Sequence, residues 1–374
     1  MNQRTEFALK AMQTDNFRAL CHEYAISPKT GYKWKARFIE RGLDGLREDS
    51  RRPNKSPSAL PEGDVCEIIR IQRAHPTWGP RKVRAIYART HAQTPSESSF
   101  KRVLERAGFT EKRVLRRREQ SGRLYSARRG QAPNEVWTVD FKGWWHDASG
   151  RRCEPLTVRD EFSRYVLELR ALPDARTETV RGCFETLFSR YGLPSAIRSD
   201  NGSPFANTSA IFGLTRLSVW WLELGIDLER GRPGCPQDNG AHERLHLDIR
   251  IELQEPRLGE RQAHLDEWRH TFNHERPHEA LAMKVPADLY RSSDKPYTPG
   301  AAQFEYRNMA TRRVQTHGKI GWANQNIFLS TALAGRDIGI EPVAKDRCNV
   351  WFGRLRLGQI DSATASFQPA TQEQ

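Results

Sequence analysis

No apolar run in this chain approaches the roughly 20 residues that a membrane-spanning helix requires, and the first ten residues, MNQRTEFALK, lack the apolar core of a secretory signal. Cysteine is sparse and scattered. Cys21, Cys66, Cys153, Cys183, Cys235 and Cys348 include no C-x-x-C pair, so neither a disulfide framework nor a thiolate zinc site is expected to organise the fold. These absences point to the reducing cytoplasm. Also absent is any positive excess beyond residue 130: residues 1–130 hold 29 Lys+Arg against 14 Asp+Glu, and the rest of the chain holds 31 against 32. A localised basic excess is the electrostatic footprint of a polyanion partner. Nucleic acid is the leading candidate, with an anionic membrane surface as the alternative. At 374 residues the chain is long enough for two or three modules with cores of their own.

The basic front carries helical signals. In NFRALCHEYAISPKTGYKWKARFIERG, residues 16–42, Phe17, Leu20 and Tyr24 share one helical face, Ser27 and Pro28 open a second helix, and Gly42 stops it. Trp34 and Phe38 pack inward on that second helix, leaving Lys29, Thr30, Lys33, Lys35 and Arg37 for a DNA groove; a solvated basic face on an ordinary helical pair fits the same pattern. Helices near 62–74, 80–90 and 96–107 form a second set of this kind, with Lys101 and Arg102 as its DNA-facing candidates. The Pro-rich segment between the sets carries Arg51 and Arg52 and reads as a minor-groove arm or a plain linker. EKRVLRRREQSGRLYSARRG, with Arg116, Arg117 and Arg118, reads as a phosphate-contacting tether.

From about Pro133 the pattern changes to strands. EVWTVDFKGWW, EPLTVRDEF and YVLELRAL precede a helix near 177–191, a strand at 195–200, a helix in TRLSVWWLELG, a short strand in GIDLERG, and helices over 237–253 and 261–275. This order predicts an α/β core with a mixed sheet flanked by helices. The last stretch, with Gly and Asn turns between short strand patterns, predicts a small β-barrel. The chain therefore divides into an all-α helix-turn-helix domain (1–50), a basic linker (51–60), a second helix-turn-helix domain (61–110), a second basic linker (111–132), the α/β core (133–295) and an all-β C-terminal barrel (300–364).

Asp140 lies inside a strand pattern, VWTVDFK, where Asp is disfavoured. It is either an exposed strand-end residue or a ligand for something cationic, because hard divalent ions take carboxylate oxygens. Asp200 closes SAIRSD at a carboxyl-terminal sheet edge, where α/β folds assemble sites, although Asp-Asn-Gly is also a plain turn. Glu243 stands early in a helix that Asp238 or Asn239 caps; a helical Glu alone is usually solvated. Together the three acids can converge on two metal ions that activate a nucleophilic oxygen and stabilise the leaving oxygen of a phosphodiester. Lys142 and Arg198, beside the two aspartates, either approach a scissile phosphate or form strand-edge salt bridges.

VWTVDFK, RSDNGSPF and GRPGCPQDNGAHERLH, in this order, with NHERPHEAL at 273–281, resemble the signatures of DDE transposases with a retroviral-integrase-type core. The resemblance covers most of the chain and is closest to the insertion-sequence four-eight-one group. It implies an RNase H-like core, Asp140, Asp200 and Glu243 as catalytic metal ligands, two Mg²⁺ (or Mn²⁺) ions, and two-step strand transfer on double-stranded DNA. It further implies a homodimer or larger assembly on the DNA, and a nucleoid-associated bacterial setting. The 43-position interval from Asp200 to Glu243 exceeds the compact retroviral spacing, which marks residues near 206–222, with Trp220 and Trp221, as an insertion; the retroviral His/Cys zinc module is missing.

Three rival readings stand beside this one. His242, Glu243 and His246 spell H-E-x-x-H, a zinc-protease pattern. A repressor could use the same N-terminal modules with an inert α/β part, and a nuclease of the same fold would cut DNA without joining it.

Overall fold

The computed structural model describes residues 3–49, 59–109, 130–141, 143, 145–146, 150, 152–231, 240–253, 261–300 and 304–370. Arg51, Arg52, Arg116, Arg117, Arg118, Lys142, Asp238 and Asn239 lie outside the described residues. The chain divides into two compact units, Met1–Glu62 and Gly63–Gln374. Among the described residues no helix is long and apolar enough to cross a membrane.

The first unit contains α1 (Gln3–Ala11), α2 (Phe17–Glu23) and α3 (Pro28–Arg41). Asn16 caps α2 by accepting from the Ala19 amide, and Ser27 caps α3 by accepting from Thr30, so orphan amides at both helix starts gain partners. Phe7, Ala11, Leu20 and Cys21 form the buried centre, with Trp34 packed on it. A Cβ on Gly31 would stand 2.6 Å from Cys21 Sγ, so a glycine is what lets α3 approach α2 this closely. The sequence reading missed α1, whose Phe7 supplies much of this small core.

The second unit begins with α4 (Glu62–Ala74), α5 (Pro80–Tyr87) and α6 (Glu97–Arg106), which bury Ile68, Ile71, Val83, Tyr87, Phe100 and Leu104. The strands β1 (Val136–Phe141), β4 (Pro155–Asp160), β5 (Val166–Ala171), β6 (Ala196–Ser199) and β7 (Asp227–Arg230) make one sheet in the order β5-β4-β1-β6-β7. A two-residue ribbon, β2 (Trp145–His146) and β3 (Arg152–Cys153), separates β1 from β4. The β1–β4 and β4–β5 pairs are antiparallel, while β1–β6 and β6–β7 are parallel. This is the mixed sheet expected.

Helices α7 (Thr177–Tyr191) and α8 (Arg216–Glu223) share a buried apolar cluster with this sheet, built on Trp137, Val139, Leu156, Phe184, Phe188 and Trp221. A second cluster joins Val166 and Leu169 to α9 (Gly240–Glu252) and α10 (Arg261–His274) through Leu245, Ile249, Leu265 and Trp268. The free edge of β5 is closed by side-chain amides and a guanidinium of α10. Asn273 accepts from the Val166 amide and donates to the Val166 carbonyl, Gln262 does the same for Ala171 and Leu169, and Arg269 donates to Leu167. An edge strand that would otherwise invite pairing is thereby covered.

The segment near 206–222, expected as an insertion relative to retroviral spacing, packs against both neighbouring cores. Its helix α8 buries Leu217, Trp220 and Trp221 in the core of the five-stranded β1 sheet and Val219 in the core of the C-terminal strands. Those strands are β8 (Ala310–Arg313), β9 (Lys319–Trp322), β10 (Gln325–Phe328), β11 (Asp337–Ala344), β12 (Arg347–Phe352), β13 (Leu355–Asp361) and β14 (Ser366–Pro369). They form a five-stranded sheet, β14-β13-β12-β11-β8, and a separate β9–β10 hairpin. The hairpin adjoins the sheet at β8 and β14, but no ladder joins them among the described residues. The region is all-β as expected, and the closed barrel is not seen. Four-residue hairpin strands, turned tightly at Ala323 and Asn324 with φ of 47° and 60°, leave little length for a ladder across either seam.

Candidate active site

Period-two alternation in β1 sends Trp137 and Val139 into the apolar core and puts Thr138 and Asp140 on the opposite face. The parallel register pairs Val139 with Ser199, the last residue of β6. The next residue on each strand is therefore an aspartate, Asp140 on one side and Asp200 on the other. Adjacent parallel strands lie about 4.8 Å apart, so the two acids come together at the carboxyl end of the sheet because the register leaves them no other place.

Helix α9 crosses the polar face, anchored by two histidines. His242 is fully buried; its Nδ1 lies 2.9 Å from Thr138 Oγ1 on β1, and its Nε2 lies 2.6 Å from Thr157 Oγ1 on β4. His246 Nε2 lies 2.9 Å from the same Thr157 oxygen. Thr157 donates its proton to the Asp140 carbonyl at 2.8 Å, so both imidazoles donate to its hydroxyl, while the Thr138 hydroxyl lies between His242 Nδ1 and the Arg159 carbonyl, to which it donates at 3.4 Å. Burial, with His246 and Arg159 nearby, holds His242 well below the ordinary imidazole range and keeps it neutral. Both its nitrogens are spent on threonines, so the H-E-x-x-H pattern is a helix clamp and not a zinc site. Glu243, the next residue, is exposed. The threonines of this clamp escaped the sequence reading; the signal was the polar pair Thr138 and Asp140 at strand spacing.

Electrostatics tie the three acids together. Asp140 is pushed up to about 7, first by burial and then by the negative charges of Asp200 and Glu243. A carboxylate whose charge is penalised by burial and by two nearby acids would gain from a neighbouring cation. The donor set, carboxylate oxygens alone, fits a hard divalent ion such as Mg²⁺. Among the described residues, however, no three such side chains already stand close enough together to hold a metal. A stability consequence follows. An acid whose folded pKa is raised binds more protons folded than unfolded between its two pKa values, so its contribution is lost as pH rises from about 4 to about 7. In EDTA at pH 8, Asp140→Asn is expected to melt above the wild type by on the order of 1 kcal/mol or more, a rise of a few degrees. Differential scanning calorimetry of both proteins checks this, and equal melting temperatures at pH 8 would refute it.

Asp200 is exposed, and its carboxylate lies over Gly202: a Cβ there would stand 2.8 Å from Asp200 Oδ2. Asn201 fixes the turn by donating to the Gly231 carbonyl at 2.8 Å. Gly202→Ala is expected to displace the carboxylate and slow DNA joining roughly 10–100-fold, the usual cost of disturbing a supporting contact, with an unchanged melting temperature. Arg198 is buried and pairs with Glu229 of β7 at 2.7 Å, opposite it in the ladder. It is the strand salt bridge of the two sequence readings, and its guanidinium is committed.

On α3, Lys29 and Lys33 are exposed, beside Tyr32 at 59% exposure. Thr30 is held by Ser27, with 2.9 Å between hydroxyls, Lys35 lies over the Phe17 ring at 5.5 Å, and Arg37 is ion-paired with Asp49. Lys101 and Arg102 are exposed on α6; Lys101 faces Glu105 at 3.8 Å, and Arg102 bonds Ser98 and Ser99 of its own helix.

Comparison with known proteins identifies the types of domain along the chain. The chain matches a helix-turn-helix domain over residues 3–54, a homeodomain-like domain over 30–104, the integrase core domain over 130–236 and again over 224–286, and the C-terminal domain of IS481 family transposases over 309–368. It is 28% identical to the insertion element IS407 31.7 kDa protein of Burkholderia multivorans, over 66% of this chain and 87% of that protein. It is 23% identical to the insertion element IS476 39.2 kDa protein of Xanthomonas euvesicatoria, over 70% and 76%. A solved HTLV-2 integrase catalytic core domain in complex with magnesium is 16% identical, covering 44% of this chain and 100% of that one, with a TM-score of 0.33. Helix-turn-helix domains, an integrase core domain and the C-terminal domain of IS481 family transposases follow one another along a single chain, an order in which the protein is similar to insertion-element proteins.

Proposed function

We propose that the protein joins DNA by a DDE mechanism in which Asp140, Asp200 and Glu243 hold two Mg²⁺ or Mn²⁺ ions. The observation that carries this reading is the β1–β6 register, which sets Asp140 and Asp200 side by side beneath the helix that bears Glu243. When bound, the ions would activate an attacking oxygen and stabilise the leaving oxygen of the phosphodiester. The chain's own residues do the positioning. The Thr138–His242–Thr157 clamp fixes α9 on the strands, Gly202 leaves room for the Asp200 carboxylate, and the burial of Asp140 makes its charge costly until a cation arrives. Water would first free a 3′-hydroxyl at the element's end, and that hydroxyl would then attack target DNA.

Double-stranded DNA is the partner: the ends of the element on the helix-turn-helix domains, and target DNA at the core. Lys29 and Lys33 on α3 and Lys101 and Arg102 on α6 are the described contacts of this reading, with Thr30, Lys35 and Arg37 tied to neighbouring side chains. The domain limits proposed are 1–50, 61–110, 133–295 and 300–364, and the working form is a homodimer or larger, since two ends must be handled together. A bacterial, nucleoid-associated enzyme fits such a substrate. The test is incubation of the purified chain with a supercoiled plasmid carrying its gene and native flanks, with Mg²⁺, Mn²⁺, Zn²⁺ or EDTA. Metal-dependent 3′-ends at the element boundary together with joined products support the reading. Binding without cleavage would make the protein a regulator, and cleavage without joining a nuclease.

A further inference from the structure

Beside α9 lies a cavity of about 340 Å³ whose charged lining is Lys82, Arg159, Arg164, Arg244, Asp248 and Glu279. Its two acids are already engaged: Asp248 with Arg244 and Arg276 at 3.1 and 3.0 Å, and Glu279 with Arg81 at 3.1 Å. Among the described residues no carboxylate pairs with Lys82, Arg159 or Arg164. Arg159 is 2% exposed and donates from Nη1 to the Ala241 carbonyl at 2.9 Å, yet its Nε and Nη2 are buried with no partner among the described residues. Leaving charged donors buried and unmade is expensive, and native structures rarely tolerate it without a ligand.

We infer that this cavity receives a phosphate of the DNA backbone, gripped at once by the second helix-turn-helix set through Lys82, by the β4–β5 turn through Arg164, and by the sheet through Arg159. A guanidinium presents a planar fork of donors suited to phosphate oxygens. Positive groups crowd the cavity: Lys82 is pushed down to about 8, first by burial and then by Arg276, against the opposing pull of Asp248 and Glu252, and His278 to about 3 by burial and the nearby Arg276, Lys82 and Arg164. Because Arg159 also holds the Ala241 carbonyl, two residues before Glu243, DNA seated here would bear directly on the helix that carries the acid. The inference rests on the chain's acting on DNA and needs no particular assignment of metal ligands.

The experiment is the salt dependence of duplex binding by the full chain, with Lys82→Gln, Arg159→Met and the double variant. Each single change is expected to cost about tenfold in affinity at physiological salt and to lower the log–log salt slope by about 1. The double variant should lose little more, since both residues serve one phosphate. Slopes equal to the wild type in Lys82→Gln and Arg159→Met would overturn the inference, as a purely structural Arg159 changes stability without changing the slope. If Arg159→Met does not fold, Lys82→Gln decides alone, because Lys82 is only partly buried. Inorganic phosphate is the second probe. A rise in wild-type melting temperature that the variants lack, beside an altered DNA slope, supports a shared oxyanion cradle; the same rise with unaltered DNA slopes assigns the cavity to free phosphate and overturns the DNA assignment. A wild type that binds DNA with these slopes but joins none would sink the proposed chemistry and leave the phosphate site standing.

Discussion

Asp140→Asn is expected to lower DNA joining by on the order of 10³-fold or more while leaving duplex binding within about twofold of the wild type. The substitution keeps the shape of the side chain and its place on β1, so the Thr157 bond to the Asp140 carbonyl survives. What it removes is a carboxylate that feels the charges of Asp200 and Glu243. Since binding draws on the basic front of the chain, the two activities should separate. Glu243→Gln, on the exposed flank of α9, should behave alike. The readouts are joined product per hour in Mg²⁺ and an electrophoretic shift on the same duplex. Joining within tenfold of the wild type would remove Asp140 from the catalytic group.

Arg276→Met is expected to cost about 3–5 kcal/mol of stability, because it strands buried carboxylates. Arg276 is 3% exposed; its guanidinium reaches Asp248 and Glu252, both at 3.0 Å, and lies over the Phe272 ring at 5.4 Å. Glu252 also accepts from Trp268 at 2.8 Å. These bonds tie the NHERPHEAL segment to the last turns of α9, so their loss should loosen the helix that carries Glu243. At roughly 2–4 °C per kcal/mol for a unit of this size, the melting temperature should fall by about 10 °C. A companion change, Asp248→Leu, should recover part of it by removing a buried charge that keeps only its exposed partner Arg244. A fall of less than 2 °C would show that water already reaches these acids.

Much of this was legible in the sequence, and the limits have physical causes. Asp140 stood out because carboxylates are rare in strands, and Asp200 because a strand ended on it. Only pairing could show that they are neighbours, since register is a long-range property. The histidines of α9 carried a false motif: a five-residue pattern cannot say whether an imidazole faces a metal or a threonine hydroxyl from another strand. Residues 206–222 read as an addition because spacing to a relative counts positions, whereas Val219 and Trp221 show how the chain uses them. The first helix was missed because its apolar residues, Phe7, Ala8 and Ala11, make a short and weakly patterned stripe. Arg159 gave no signal at all, since a basic residue in LTVRDEF says nothing of what lies beneath α9.

The two-faced helix α8 has a consequence for how such genes decay. With Leu217 and Trp221 in one core and Val219 in the other, the catalytic part has no clean surface beneath the C-terminal strands. A copy cut short by a stop codon near residue 300 would not leave a smaller working enzyme. It would leave a wet apolar scar around Leu214 and Val219, prone to sticking to its neighbours. Truncated copies should therefore be cleared by proteolysis instead of lingering as DNA-bound inhibitors of intact ones.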